Sequence, residues 1–264
     1  MKIWCQLPIS MPRSSYESYY ELLQKDYELV KRAHTEVVIK DVPTGLTSPE
    51  LVTYFGLRQA NEREILKTIL QAQREGFDAV AGACFSDGAI RAAGNLMDIP
   101  VVGPGETSMY LARMMGKSFA IIDSGPASIP GTEHQIDELN MRSSVISYRP
   151  VRCLTLDSST FLNCLGGDYD PIIENFEEVA QGCVKDGADV LIPGCGLFSP
   201  MLSLSKISDV DGAPIIDPMQ VSLKFAEMMV DFRAAGMPVV SHKGLFLKAS
   251  SEDIRNGCKS LGLI

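Results

Sequence analysis

The sequence lacks the features by which exported, membrane-spanning and zinc-binding proteins are usually recognised. No apolar run approaches the roughly 18 residues that a membrane-spanning helix needs. The opening stretch MKIWCQLPIS is a short apolar run interrupted by Pro8, unlike a secretory signal. The seven cysteines form no CxxC pair and no cluster with histidine, so we expect no metal site. Together these absences favour a cytoplasmic protein with reduced thiols.

Positive charge is also in short supply. The 264 residues include 24 Lys and Arg against 33 Asp and Glu, which gives a formal net charge of -9. An acidic surface disfavours nucleic acid and anionic membranes as partners. We therefore expect a small-molecule substrate, which local backbone amides can hold whatever the net charge.

Short apolar segments alternate along the chain with longer amphipathic ones. For example, TEVVIKDV precedes GLRQANEREILKTILQAQREG, and ADVLIPGC follows DPIIENFEEVAQGCVKDG. This alternation predicts an α/β fold in which parallel sheets are flanked by helices. We place a first lobe at 1–116 and a second at 117–237, and we expect 238–264 to pack back on the first lobe.

An internal repeat supports two similar lobes. Three residues recur 111 positions later, so that Gly76, Asp78 and Cys84 correspond to Gly187, Asp189 and Cys195. Further on, IPVVGPGETSMYLARMM matches APIIDPMQVSLKFAEMM at an offset of 114. Two matches in the same order indicate a duplicated Rossmann- or flavodoxin-like unit.

The repeat places a cysteine at the end of an apolar strand in each lobe. Ligands of open parallel sheets bind at these carboxyl ends. We expect Ser86 or Asp87 to cap the helix after Cys84, and Ser199 to cap the helix after Cys195. Helix ends and free amides favour a thiolate. Two such sulfurs facing each other across an interlobe cleft could act as the acid and base of a racemase.

A buried, inert thiol is the ordinary interpretation of any single cysteine. We apply it to the five cysteines without a repeat partner, which are Cys5, Cys153, Cys164, Cys183 and Cys258. The matched pair, Cys84 and Cys195, is instead predicted to be catalytic.

Four segments in order resemble the aspartate/glutamate/hydantoin racemase superfamily, and its hydantoin racemase branch in particular: FDAVAGACFSD, IPVVGPGETSMYLA, DGADVLIPGCG and APIIDPMQVSLKFAEMM. The resemblance covers nearly the whole chain. It implies that Cys84 and Cys195 serve as acid and base. It also implies two similar lobes with a cleft between them, no metal or cofactor, and a homo-oligomer.

The residues around the cysteines narrow the substrate. Amino-acid racemases of this superfamily typically have Asn-Thr after the first cysteine and Thr-His after the second. This chain has Phe85-Ser86 and Gly196-Leu197, which disfavours glutamate and aspartate. Hydantoin racemases usually open with Asn-Pro-Asn-Thr, where this chain has the segment LPIS at 7–10. A 5-substituted hydantoin or related cyclic amide is the predicted substrate.

Five residues are candidates for holding that substrate, namely Ser10, Phe85, Ser86, Gly196 and Leu197. Tyr54 and Phe55 either cover the cleft or pack against a lobe as ordinary aromatic residues. Two other functions stay open. One is a cis–trans isomerase of a small unsaturated acid with a cysteine nucleophile, and the other is a two-lobed binding protein without chemistry.

Overall fold

The structure, a computed structural model, describes residues 1–248 and 250–264. These residues form two units, each assembled from separate stretches of chain. The first unit consists of Met1–Ser15, Lys31–Gly103 and Ser222–Ile264, and the second of Tyr16–Val30 and Pro104–Val221. The sequence-based division at residue 116 differs from this arrangement, because 16–30 and 104–116 belong to the second unit and 222–237 to the first.

The strands are short, with two to five residues each. They are β1 (Lys2–Gln6), β2 (Glu36–Lys40), β3 (Ala79–Gly82), β4 (Val101–Val102), β5 (Phe119–Asp123), β6 (Val151–Cys153), β7 (Val190–Pro193), β8 (Asp209–Val210) and β9 (Ala213–Pro214). In the first unit, β2, β1, β3 and β4 are parallel neighbours in that order. In the second unit, β6, β5 and β7 repeat the order of the first three, and β8 and β9 form an antiparallel pair.

The helices follow the amphipathic segments. They are α1 (Arg13–Val30), α2 (Phe55–Arg74), α3 (Ile90–Leu96), α4 (Pro104–Met115), α5 (Ile129–Glu138), α6 (Ser158–Cys164), α7 (Asp170–Lys185), α8 (Ser199–Leu204), α9 (Pro218–Ala234) and α10 (Ser251–Ser260). Short 3₁₀ turns occupy Pro49–Thr53, Arg142–Ser144 and Gly244–Phe246.

The central strands are buried along their whole length, which explains their apolar sequences. All residues of β3, β5 and β7 are buried. In the first unit, Trp4 of β1 meets Phe77 edge to face, with ring centroids 5.0 Å apart. The α/β fold class predicted from the sequence is thus confirmed.

Two helix starts reproduce the sequence repeat. Helices α4 and α9 begin at Pro104 and Pro218, the prolines paired by the offset of 114. Proline fits the first turn of a helix because its missing N–H would have no partner there.

Across the described residues, none of the helices combines the length and apolar character needed to cross a bilayer.

Candidate active site

Cys84 lies at the carboxyl edge of the first sheet. Gly82, at the end of β3, stands opposite Gln6 at the end of β1. The next amide, that of Ala83, donates to the Gln6 carbonyl at 2.9 Å. Cys84 follows at once, so its side chain is fixed to the edge where parallel sheets bind ligands.

Cys195 has the same setting in the second sheet. Pro193, at the end of β7, stands opposite Ile122 of β5. The Gly194 amide donates to the Ile122 carbonyl at 2.7 Å. The hydrogen bond immediately before each cysteine is therefore equivalent in the two units.

A pocket in the first unit adjoins Cys84. It is lined by the ends of β1 and β3, the turn after Cys84, Val52 and one face of α2. The α2 residues are Arg58, Asn61, Glu62 and Ile65. None of these was expected from the sequence, because α2 reads as an ordinary amphipathic helix with charges at helical spacing.

Arg58 brings a cation to this pocket. Its Nε is buried and has no hydrogen-bond acceptor among the residues described, while Glu62 Oε1 is 3.9 Å away. The guanidinium carbon lies 5.6 Å from the centroid of the Phe55 ring. Tyr54 and Phe55 are themselves largely exposed, so the structure does not pack these two aromatic residues into the core.

The aliphatic residues of the LPIS segment are core residues. Leu7 and Ile9 are buried, and both Leu7 and Pro8 line the pocket. Asn61 fixes this segment, since its Nδ2 donates to the Pro8 carbonyl at 2.7 Å and its Oδ1 accepts from the Leu46 amide at 2.8 Å. The Asn61 side chain from α2 thus contacts the loop, whereas Leu7 and Ile9 have no side-chain amide.

The candidate binding residues of the first unit occupy different places. Ser86 lines the pocket, and its Oγ lies 3.2 Å from Cys84 Sγ. Phe85 is buried and Ser10 lies in the loop after β1, where its amide donates to the Leu46 carbonyl at 2.7 Å. Neither Phe85 nor Ser10 is among the described residues that line the pocket.

The predicted helix caps at Ser86 and Asp87 are wrong. Asp87 and Ala89 have φ of 53° and 63°, in the left-handed region, so the chain turns twice before α3 begins at Ile90. Ala89 is the residue before the helix and supplies no side-chain cap. A helix end therefore does not lie directly beside Cys84.

The loop after Cys195 is more closely held. The Leu197 amide points at Cys195 Sγ at 3.4 Å, and the Ser199 amide donates to the Cys195 carbonyl at 3.1 Å. Gly196 is buried, and its carbonyl accepts a hydrogen bond from the Tyr19 hydroxyl at 3.2 Å. Ser199 is the first residue of α8 and not its cap, which corrects the sequence prediction by one position.

Burial works against the thiolate form in three of the five cysteines without a repeat partner. Burial is the main cause that raises the pKa of Cys153 and Cys164, and it raises the pKa of Cys183 to about 11. Cys5 and Cys258 are buried. All seven are free thiols.

One further acid lies at the edge of the second sheet. Asp123 ends β5, and burial raises the pKa of its carboxyl to about 6. Opposing this shift, the Thr132 hydroxyl donates to Oδ2 at 2.8 Å and the Ser124 amide donates to Oδ1 at 2.7 Å. Both Asp123 oxygens are thereby engaged in holding the turn before α5.

A family model described as Asp/Glu/Hydantoin racemase matches residues 11–226. The hydantoin racemase of Pseudomonas sp. (strain NS671) is 31% identical over 169 residues, which are 63% of this chain and 64% of that protein. This match spans less than two thirds of the relative's length. The hydantoin racemase of Rhizobium meliloti is 26% identical over 205 residues, 76% of this chain and 79% of that one.

Among solved structures, allantoin racemase from Klebsiella pneumoniae superposes with a TM-score of 0.76 at 20% identity. The superposition covers 95% of this chain and 94% of that one. At this identity the likeness establishes a shared fold.

Proposed function

The chain belongs to the Asp/Glu/hydantoin racemase family, and we propose that it racemises 5-substituted hydantoins or related cyclic amides without a cofactor. The relatives named hydantoin racemase and the structural neighbour named allantoin racemase support this substrate class. Allantoin is itself a hydantoin with a substituent at C5. The carbon that inverts in this class is acidic, because it lies next to a ring carbonyl.

We propose that Cys84 and Cys195 are the two bases. One sulfur, as a thiolate, takes the proton from C5, and the electron pair of the broken C–H bond moves into the adjacent carbonyl to form an enolate. The other sulfur, as a thiol, gives its proton to the opposite face of the planar carbon. The two sulfurs have then exchanged protonation states, and the reverse reaction starts from the product. Positioned acids and bases of this kind typically contribute about 10²–10⁴-fold to rate.

The observation that carries the proposal is the equivalence of the two cysteines. Each follows a residue whose amide donates to the neighbouring central strand, Ala83 to Gln6 in one sheet and Gly194 to Ile122 in the other. A single structural thiol would not need to recur at the same point of both units. A non-catalytic binding protein has no use for such a pair.

Polar groups beside each sulfur support an acid–base role. The Leu197 amide lies 3.4 Å from Cys195 Sγ, and the Ser86 hydroxyl lies 3.2 Å from Cys84 Sγ. Hydrogen bonds to a charged sulfur favour its thiolate form. Ser10 in the loop after β1, Phe85 in the Cys84 loop and Gly196 in the Cys195 loop remain proposed substrate contacts.

The proposal is tested with single enantiomers of 5-benzylhydantoin in D₂O. Cys84→Ser and Cys195→Ser are each expected to lose racemisation. Each variant should still exchange the C5 proton of one enantiomer, and the two variants should prefer opposite enantiomers, because the surviving thiol reaches only one face. NMR measures the exchange, and chiral chromatography measures the racemisation.

Cys183→Ser is the matched control, since it removes a buried thiol outside the proposed pair and should racemise at the wild-type rate. Two results would contradict the mechanism. One is equal exchange from both enantiomers in either variant, and the other is full racemisation after loss of either cysteine.

A further inference from the structure

Two carboxyl groups are buried together in the second unit, away from both sulfurs in sequence. Asp26 lies on α1 and is fully buried, and Asp217 is the residue immediately before α9 and is 7% exposed. Buried carboxyl groups are costly unless they are paired or hydrogen-bonded. Their presence in a core therefore needs an explanation.

The hydrogen bonds connect three helices. Gln220 of α9 donates from Nε2 to Asp26 Oδ1 at 2.7 Å. Ser203 of α8 donates from its hydroxyl to Asp217 Oδ2 at 2.6 Å, and the Met219 amide donates to Asp217 Oδ1 at 2.8 Å. Asp217 and Gln220 thus link α8 to α1 through the start of α9.

One oxygen of this cluster lacks a donor. Asp26 Oδ2 is buried and accepts no hydrogen bond from the described part of the chain. Burial, followed by the charge of Asp217, raises the pKa of the Asp26 carboxyl to about 9. A proton on Asp26 accounts for the unpartnered Oδ2, because a protonated carboxyl can donate a hydrogen bond to Asp217. Asp217, whose pKa burial also raises, is stabilised in its charged form by the Ser203 hydroxyl and the amides of Met219 and Gln220.

The cluster leads to the loop that carries Cys195. Helix α8 begins four residues after that cysteine, and Ser203, the partner of Asp217, lies on it. Tyr19, seven residues before Asp26 and hence on the same face of α1, donates to the Gly196 carbonyl. Helix α1 therefore reaches the Cys195 segment at two points, directly through Tyr19 and indirectly through Asp26, Gln220 and Asp217.

We infer that Asp26, Gln220 and Asp217 are positioning residues that, with Tyr19, hold the loop and helix from Cys195 to Leu204 in place against α1. The inference rests on the proposed function insofar as it treats Cys195 as a catalytic residue. None of the three touches the sulfur in the structure as described, so they act through the loop.

The experiment measures amide hydrogen exchange in residues 195–204, with residues 82–92 around Cys84 as the internal reference. Asp26→Leu removes both the acceptor for Gln220 and the donor toward Asp217, and should speed exchange of 195–204 by at least about tenfold while leaving the reference unchanged. Asp26→Asn keeps an acceptor and a donor, and should restore slow exchange. Leu23→Ala, another buried residue of α1, is the control for lost packing alone.

A second pair of variants covers the case in which Asp26→Leu does not fold. Tyr19→Phe and Ser203→Ala each remove one hydrogen bond, and each should speed exchange of 195–204 by about threefold or more. If neither variant does so, or if Leu23→Ala reproduces the pattern and Asp26→Asn does not restore it, the inference is overturned.

A pH series adds a readout that simple packing would not change. In the wild type, exchange of 195–204 divided by that of 82–92 should rise as the pH passes about 9, because both carboxyls are then charged. Asp26→Asn should show no such rise, and a flat wild-type ratio would refute the inference.

Activity separates this inference from the proposed function. Asp26→Leu should lower kcat for racemisation with little change in KM, and Asp26→Asn should recover it. If the variants change amide exchange as expected but the wild type does not racemise the hydantoin, the proposed function alone is wrong. If the wild type racemises the hydantoin but no variant changes amide exchange, the inference alone is wrong.

Discussion

The two cysteine loops occupy the same position in their sheets but are supported differently. After Cys84 the backbone has positive φ at Asp87 and Ala89, and the exposed Ser86 hydroxyl lies 3.2 Å from the sulfur. Helix α8 begins four residues after Cys195. In the loop between them, the Gly196 carbonyl accepts a hydrogen bond from Tyr19, and the Leu197 amide points at the Cys195 sulfur. The two loops thus share the position of the thiol and differ in the contacts around it.

This difference has a chemical consequence. A backbone amide can only donate a hydrogen bond, so the Leu197 amide favours the thiolate of Cys195. A hydroxyl can donate or accept, so Ser86 can follow Cys84 through both of its protonation states. Removing the hydroxyl beside Cys84 should therefore affect proton transfer by Cys84 and leave proton transfer by Cys195 unchanged.

The largest predicted effect tests whether the two cysteines act as a pair at all. Cys84→Ala and Cys195→Ala should each lower kcat for racemisation by about 10²–10⁴-fold. The double variant should fall little further than either single variant, because groups that act as a unit are not additive. Initial rates from both enantiomers, followed by polarimetry, measure all three.

If the single losses instead multiply in the double variant, the cysteines contribute independently and the paired mechanism is wrong. Cys153→Ala serves as the control, because it removes a thiol from the edge of the second sheet that has no repeat partner.

The strand ends and the fold class could be read from the sequence for a physical reason. Parallel strands buried on both faces are continuously apolar, and the repeat aligned two of them at their ends. The same alignment matched the helix starts at Pro104 and Pro218, where proline marks the first turn. These features depend on local sequence, and the sequence alone could therefore predict them.

The contacts around the cysteines depend on tertiary packing, and the sequence did not show them. The helix caps predicted at Ser86 and Asp87 are wrong because Asp87 and Ala89, with positive φ, lie between Cys84 and the start of α3. Asp26 and Asp217 each read as an ordinary polar residue near a helix, since nothing local indicates that they meet in the core. Arg58 likewise looks like a solvated helix residue until α2 is placed beside Cys84.

Asp26 and Asp217 lie in the second unit with Cys195, and the raised pKa of Asp26 predicts how stability depends on pH. The pKa of Asp26 is about 9 in the folded chain against 3.8 ordinarily, so between these values the native state binds more protons than the unfolded state. Stability from this group is fully present below about pH 4 and is lost as the pH rises through 9. Relative to Asp26→Asn, the wild type should lose up to about 1.4 kcal/mol of unfolding free energy per pH unit between pH 5 and 8.

Urea denaturation followed by circular dichroism at pH 5, 6, 7 and 8 measures this slope. Glu178→Gln on α7 is exposed and makes the same change in net charge, so its difference from the wild type should stay constant. An equally constant difference for Asp26→Asn would mean that Asp26 is ionised in the folded state.

The smallest predicted effect isolates the support of Cys84. Ser86→Ala removes the hydroxyl 3.2 Å from Cys84 Sγ and leaves the Cys195 loop intact. A hydrogen bond of this kind is worth about 0.5–1.5 kcal/mol, so exchange of the C5 proton by Cys84 should slow by about 2- to 13-fold. Exchange by Cys195 should be unchanged. Proton exchange in D₂O from each enantiomer, measured in the Cys195→Ser and Cys84→Ser backgrounds, separates the two sulfurs. Equal slowing in both backgrounds would show that Ser86 acts on the substrate and not on its neighbouring thiol.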